Sequence, residues 1–186
     1  QLKQCGHHSR ASWQYQELES YAAQISELIK FHKLVSGDVI VISLKRSVQL
    51  IAAHLVAMKQ GLVIATFTPE NPVGRLQQVI QNTAAKLCLC ESEQAKWDTG
   101  IPMVTVPAWN RQRSPFVTEG EVVSFQNDDP LYVVHTSGST GMPKGIVITY
   151  GGFKHFLNAL RNEEYLHPGE KVLMQAGEAF DPSLME

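Results

Sequence analysis

Leu131-Tyr132-Val133-Val134-His135-Thr136-Ser137-Gly138-Ser139-Thr140-Gly141-Met142-Pro143-Lys144-Gly145-Ile146-Val147-Ile148-Thr149 is the stretch on which the reading of the chain turns. A β-like run enters a loop of small hydroxyl and glycine residues, and a second β-like run leaves it. Glycines let a backbone approach a ligand closely and turn successive N–H groups toward one point. The Ser and Thr hydroxyls add donors, and Lys144 adds a positive charge. Such a loop suits the oxygens of a polyphosphate, which are multiply charged acceptors. The same composition also suits a plain hairpin, because Ser, Gly, Thr and Pro are common in turns. Two nucleotide loops are excluded. A Walker A loop ends in Gly-Lys-Ser/Thr and opens a helix. Here Pro143 precedes the lysine, Gly145 follows it, and the next residues are β-branched. The loop also lacks the G-x-G-x-x-G fingerprint of dinucleotide binding.

Upstream of the loop the pattern alternates. Trp13-Gln14-Tyr15 is expected to form a short strand. Leu18, Tyr21, Ala22, Ile25, Leu28 and Ile29 then recur at helical spacing. Ser36-Gly37-Asp38 breaks that helix and leads into Val39-Ile40-Val41-Ile42, apolar on both faces as a parallel strand covered by helices must be. Val48, Ile51, Ala52, Leu55 and Val56 mark a second helix, stopped by Gly61, and Leu62 to Ala65 reads as the next buried strand. Leu76, Val79, Ile80 and Ala84 mark a third helix, and Leu87 to Cys90 a third strand. From Glu91 to Asp129 the pattern weakens. Pro102, Pro107 and Pro115 interrupt it, and one short apolar run lies near Ile101 to Val106, so a surface-crossing connection is expected. The alternation predicts an α/β fold with a largely parallel sheet.

Composition narrows the function. Hydrophobic residues at 44% and charged residues at 18% fit a folded protein rather than a disordered one. A net charge of −2 argues against nucleic acid or an acidic membrane surface as partner. No apolar run reaches the roughly 18 residues of a membrane span. The first residues, Gln1-Leu2-Lys3-Gln4, lack an apolar signal region and an initiator Met, so they read as an internal start. Three cysteines, Cys5, Cys88 and Cys90, form no regular framework and suggest a reducing, cytoplasmic setting. Cys88 and Cys90 would share one face of a strand, as small buried hydrophobes rather than metal ligands. The histidines, among them His7, His8, His54 and His155, form no metal-ligand spacing and read as surface or packing residues.

The order of residues in the loop says more than its composition. Thr136 to Gly145, T-S-G-S-T-G-x-P-K-G, resembles the phosphate-binding signature of the adenylate-forming (AMP-binding) superfamily over ten residues with one free position. Other segments resemble the adenylation domains of nonribosomal peptide synthetases in the same order. Ser12-Trp13-Gln14-Tyr15-Gln16-Glu17-Leu18 looks like their tyrosine-containing entry segment. Met58-Lys59-Gln60-Gly61 through Pro69-Glu70-Asn71-Pro72-Val73-Gly74-Arg75-Leu76 is similar to their segment ending in P-x-x-P-x-x-R-L, and Phe180-Asp181-Pro182-Ser183 to their F-D-x-S element. The resemblance covers nearly the whole chain and is weakest between Glu91 and Asp129. It departs at His135, where the family usually has Tyr; at Thr68, where it usually has Asp; and at Tyr150, where His often follows the loop.

The resemblance implies the function. Thr136, Ser137, Gly138, Ser139, Thr140, Gly141, Lys144 and Gly145 would grip the β- and γ-phosphates of ATP, with Lys144 as the catalytic cation. Asp181 would pair with the α-ammonium group of an amino acid, with Pro182 and Met185 lining its side-chain pocket. Asp181 also suits a helix N-cap, and the two roles can coexist. The expected chemistry uses ATP with Mg²⁺ to form an aminoacyl adenylate and pyrophosphate, and passes the aminoacyl group to a phosphopantetheine thiol on a carrier domain. Residues 1–186 would form a partial adenylation domain that stops before the ribose-binding and C-terminal lid segments, inactive by itself, with an exposed sheet edge and poor solubility. Two other readings stay open: an acyl- or aryl-CoA ligase, which shares the loop, and a non-catalytic remnant that binds nucleotide or a partner protein.

Overall fold

The computed structural model describes residues 2–6, 9–109, 123–136 and 144–162. The chain opens on an antiparallel pair, β1 (Leu2–Gly6) and β2 (Ser9–Trp13). The strand expected at Trp13 to Tyr15 therefore lies earlier and ends at Trp13. The reason is a helix cap. Gln14 is the N-cap of α1 (Tyr15–Ile29), and its N–H donates to Glu17 Oε2 at 2.9 Å, which satisfies a backbone donor at the helix start. Five of the six helical positions read from the sequence are buried; Leu28 is only partly so.

The main sheet contains β3 (Val39–Ser43), β4 (Val63–Thr66), β5 (Leu87–Cys90), β6 (Met103–Thr105), β7 (Pro130–Thr136) and β8 (Lys144–Thr149). Their spatial order is β6-β5-β3-β4-β7-β8. Four neighbouring pairs are parallel, and only β7–β8 is antiparallel. The predicted α/β fold with a largely parallel sheet is what forms. The crossovers use α2 (Val48–Lys59) and α3 (Val73–Thr83), while α4 (Tyr150–Asn162) follows the hairpin.

Strand period decides which residues meet which helix. On one face Ile40, Ile42, Ile64, Leu87, Leu89 and Tyr132 pack with α1 and α2. On the other, Val41, Ala65, Cys88 and Cys90 pack with Leu76, Val79 and Ile80 of α3. Both thiols are free and buried, sharing one face as their spacing requires. His54 of α2 is a packing residue, and burial lowers its pKa to about 4.

Three details differ from the sequence reading. Ala84 is not a core residue: it adopts the left-handed C-cap conformation at φ 51° and is exposed, and Ala85 fills the core instead. The stretch after Glu91 is tied down where it is described. Its apolar run forms β6, and farther on Tyr21 Oη donates to the Pro107 carbonyl while Trp109 sits 5.3 Å from the Tyr21 ring and 5.7 Å from Trp13. The third difference is α4, which the sequence analysis did not mark. Its Phe153, Phe156, Leu157 and Leu160 have helical spacing, but Gly151-Gly152 at the start lowers helix propensity. Gly151 is there for space, since a Cβ would stand 2.8 Å from the Asn127 carbonyl oxygen.

Gly61 does more than stop α2. Its φ is +68°, and a Cβ there would collide with Ser36 Oγ. Gly61→Ala is expected to destabilise the fold by about 1 kcal/mol or more, measured as a lower urea midpoint with unchanged slope. At the start of the sheet, Lys86 Nζ lies 2.6 Å from Asp38 Oδ1, and the Val35 N–H donates to Asp38 Oδ2 at 2.9 Å. The Lys86 bond first, and the Val35 bond second, hold the Asp38 carboxyl below its ordinary 3.8. A carboxylate held low in the folded state contributes stability above its unfolded value and loses it as pH falls through the folded one. Asp38→Asn should therefore lower stability at neutral pH and flatten its decline below pH 4, read from denaturation midpoints across pH 2–7.

Candidate functional site

In open parallel sheets, ligands favour the crevice at the carboxyl ends of two strands whose connections run opposite ways. Here that place lies between β3 and β5, because the chain passes from β3 to β4 on one side and returns to β5 on the other. Protein fills it. Ser43 Oγ donates to Gln94 Oε1 at 2.9 Å, and Gln94 Nε2 donates to the Pro69 carbonyl at 3.1 Å. The Lys45 N–H donates to Glu91 Oε1 at 3.0 Å, and the Lys45 ammonium lies 3.6 Å from Glu91 Oε2. The buried Gln94 thus ties the ends of β3, β4 and β5 together. No periodic signal marks such a residue.

The candidate site stands farther along the same edge, at the root of the β7–β8 hairpin. Pairing sets Thr136 opposite Lys144, His135 opposite Gly145, Val134 opposite Ile146 and Val133 opposite Val147. The two ends of the glycine- and hydroxyl-rich segment are thereby held side by side. Lys144, the first residue of β8, is exposed, so its ammonium is free to meet an anion. Gly145 lets the hairpin root pack closely: a Cβ there would be crowded, 3.1 Å from Val133 Cγ1 and 3.6 Å from His135 Nε2. Of the residues expected to hold phosphate, Thr136, Lys144 and Gly145 are thus brought together, while Ser137, Gly138, Ser139, Thr140 and Gly141 lie outside the described residues. Asp181, Pro182 and Met185 lie outside them as well.

His135 and Tyr150, two departures from the family pattern, have structural surroundings of their own. Neither ring nitrogen of His135 has a hydrogen-bond partner among the described residues. Burial, and then the charge of Arg75, lower its pKa below the ordinary 6.5, so the imidazole is neutral at physiological pH. Tyr150 stacks on Phe125 at 5.1 Å, and its N–H donates to the Asp129 carbonyl at 2.8 Å. The ring thus anchors the segment leading into β7 to the start of α4. The first turn of α4 is also tied to β8, since the Gly152 N–H donates to Thr149 Oγ1 at 3.3 Å. Arg75 was visible in the sequence only as part of a motif; its approach to His135 depends on the packing of α3 against the sheet. Among the described residues, no group of three or more His, Cys, Asp or Glu is placed to hold a metal ion, and no helix is long and apolar enough to cross a membrane.

A mostly parallel α/β sheet bearing a hydroxyl- and glycine-rich hairpin with a lysine at its root defines the class of the adenylate-forming enzymes. The sequence profile of the AMP-binding enzymes matches residues 3–186, and the chain belongs to that family. It is 29% identical over 178 residues to the probable non-canonical nonribosomal peptide synthetase CymA of Salinispora arenicola, covering 94% of this chain. It is 30% identical over 176 residues to the nonribosomal peptide synthetase sidE of Aspergillus fumigatus, covering 92% of this chain. The chain spans only 2% and 8% of the lengths of those two synthetases. In fold it resembles a fatty acyl-adenylate ligase from L. pneumophila, solved with acyl adenylate and pyrophosphate, at a TM-score of 0.81 and 19% identity. That match covers 97% of this chain and 33% of the ligase. The nonribosomal peptide synthetase FmoA3 superposes at a TM-score of 0.77 and 22% identity, over 95% of this chain and 18% of that one.

Since burial and Arg75 both disfavour the charged imidazole, the His135 ring protons should titrate in NMR with a midpoint below 6.5. Arg75→Gln should raise that midpoint by removing the nearby charge.

Proposed function

We propose that this chain is the phosphate-gripping part of an adenylation domain of a nonribosomal peptide synthetase, which activates an amino acid with ATP. The observation that carries the reading is the hairpin root, where Lys144 and Gly145 stand beside Thr136 and His135 at the two ends of the signature segment. An exposed ammonium next to a residue without a side chain suits a crowded, multiply charged phosphate chain.

The reaction joins two anions, so the protein's task is to align them and to offset their repulsion. A carboxylate oxygen of the amino acid attacks the α-phosphorus of ATP. The bond from that phosphorus to the oxygen bridging to the β-phosphate breaks, and pyrophosphate leaves with the electron pair. Lys144 and the loop from Thr136 to Gly145 hold the β- and γ-phosphates through this exchange and stabilise the charge that collects on the leaving group. Mg²⁺ would arrive with the nucleotide as MgATP and offset part of the phosphate charge. Asp181 would hold the substrate's ammonium group, with Pro182 and Met185 beside its side chain. A phosphopantetheine thiol on a carrier domain would then attack the acyl carbonyl and release AMP. Such a protein works in the cytoplasm, where ATP and carrier domains meet.

The hairpin chemistry is the same whichever acid is activated, so an acyl- or aryl-CoA ligase is the second reading. The test is acid-dependent ATP–pyrophosphate exchange by the natural full-length protein, with panels of amino, fatty and aryl acids. Exchange with an amino acid is expected. Exchange only with fatty or aryl acids would move the protein to the second reading, and ATP binding without exchange would make it a nucleotide-binding remnant. Residues 1–186 tested by themselves should show no exchange. Lys144→Ala should cut exchange on the order of a hundredfold, with the melting temperature little changed because the side chain is exposed.

A further inference from the structure

Arg75 is a cation without a counter-ion among the described residues. It lies in the first turn of α3, half-buried. The ion pairs found among the described residues belong to Lys30, Lys45, Lys59 and Lys86, and none involves Arg75. Partial burial of a guanidinium without a carboxylate is unfavourable unless something else supplies the negative charge.

The topology shows where that charge would sit. α3 follows β4, so its first turn lies at the carboxyl end of the sheet. β7 runs parallel beside β4, with Ala65 opposite Val133, and ends at Thr136 on the same edge. Ala65 belongs to the face packed by α3, and Val133 and His135, two residues apart, both point to that face. Arg75 is close enough for its charge to act on the His135 ring. Across the hairpin, Gly145 stands opposite His135 and Lys144 opposite Thr136. Two cations thus stand at the end of β7: Arg75 on the α3 face, beside the His135 ring, whose nitrogens have no partner among the described residues, and Lys144, paired with Thr136, on the other face.

We propose that Arg75 is a further polyphosphate-binding residue of the hairpin site, reaching the end of β7 from the α3 face with His135 beside it as a hydrogen-bonding group, while Lys144 approaches the same strand end from the other face. The guanidinium presents a planar fork that holds two phosphate oxygens at once, whereas the Lys144 ammonium acts as a point charge. A neutral His135 offers one N–H donor to the same oxygens without adding a third positive charge. The ligand class is a di- or triphosphate chain, carried by ATP or released as pyrophosphate. This inference rests on the phosphate reading of the hairpin proposed above.

Calorimetric titration of the natural full-length protein with ATP, inorganic pyrophosphate and AMP, at fixed Mg²⁺ and ionic strength, tests it. Arg75→Gln should weaken ATP and pyrophosphate about tenfold and change AMP less than about twofold. Arg75→Lys should recover part of that loss, because it restores the charge without the fork. If Arg75→Gln does not fold, Arg75→Lys decides the matter: ATP several-fold weaker with AMP unchanged supports the assignment, and unchanged ATP overturns it. Loss of AMP equal to loss of ATP would also overturn it, by making Arg75 a packing residue. So would ATP binding within twofold of the unsubstituted protein, even with the His135 titration shifted. If the unsubstituted protein binds neither ATP nor pyrophosphate, the phosphate reading of the hairpin fails instead, and this inference fails with it.

Discussion

A sheet buried on both faces constrains everything else in this molecule. Ile40, Ile42 and Ile64 meet α1 and α2 on one side, while Val41 and Ala65 meet α3 on the other. With helices on both faces, the backbone donors and acceptors of these strands can be satisfied only within the sheet. Neighbouring strands joined through helical crossovers run parallel, so β3, β4, β5 and β7 end on one edge. The hairpin root, the first turn of α3 and the loop after β3 are brought to that edge by the same requirement.

Two places on the edge take different roles. Between β3 and β5, Gln94 closes the crevice, with Ser43 and Pro69 as its partners. A buried, satisfied amide makes a good tie, because breaking either bond would leave a polar group in a dry place. The hairpin end of the edge is built in the opposite way. Lys144 is exposed, and His135 keeps both ring nitrogens unpartnered among the described residues.

The hairpin is also the outermost part of the sheet. β8 is an edge strand, with Ile146 48% and Val147 55% exposed although their side chains point to opposite faces. α4 has no buried residue and reaches the core only through contacts such as Phe153 edge-on to Tyr132 at 6.1 Å. Tyr150 compensates in part, tying the helix start back to the segment before β7. A substitution at Tyr150 would therefore act on the aim of the hairpin through packing, without touching any phosphate.

Much of this was legible along the chain. Strand–helix alternation, the two-faced apolar strands and the shared face of Cys88 and Cys90 follow from local periodicity, which a sequence records directly. The family was legible as well, because its signature residues, from Thr136 to Gly145, are contiguous in the sequence. Ala84 and the strand at Trp13 were misjudged at element ends, where one cap residue decides the boundary. Strand order, the closing of the crevice by Gln94 and the meeting of Arg75 with His135 were settled only by tertiary structure. Those contacts join residues dozens of positions apart, and nothing local encodes which helix will cover which strand. The sequence by itself determined the family and the alternation of elements, because both lie in local residue order; the packing of α3 beside β7 decided that Arg75 stands near His135, because that contact joins distant parts of the chain.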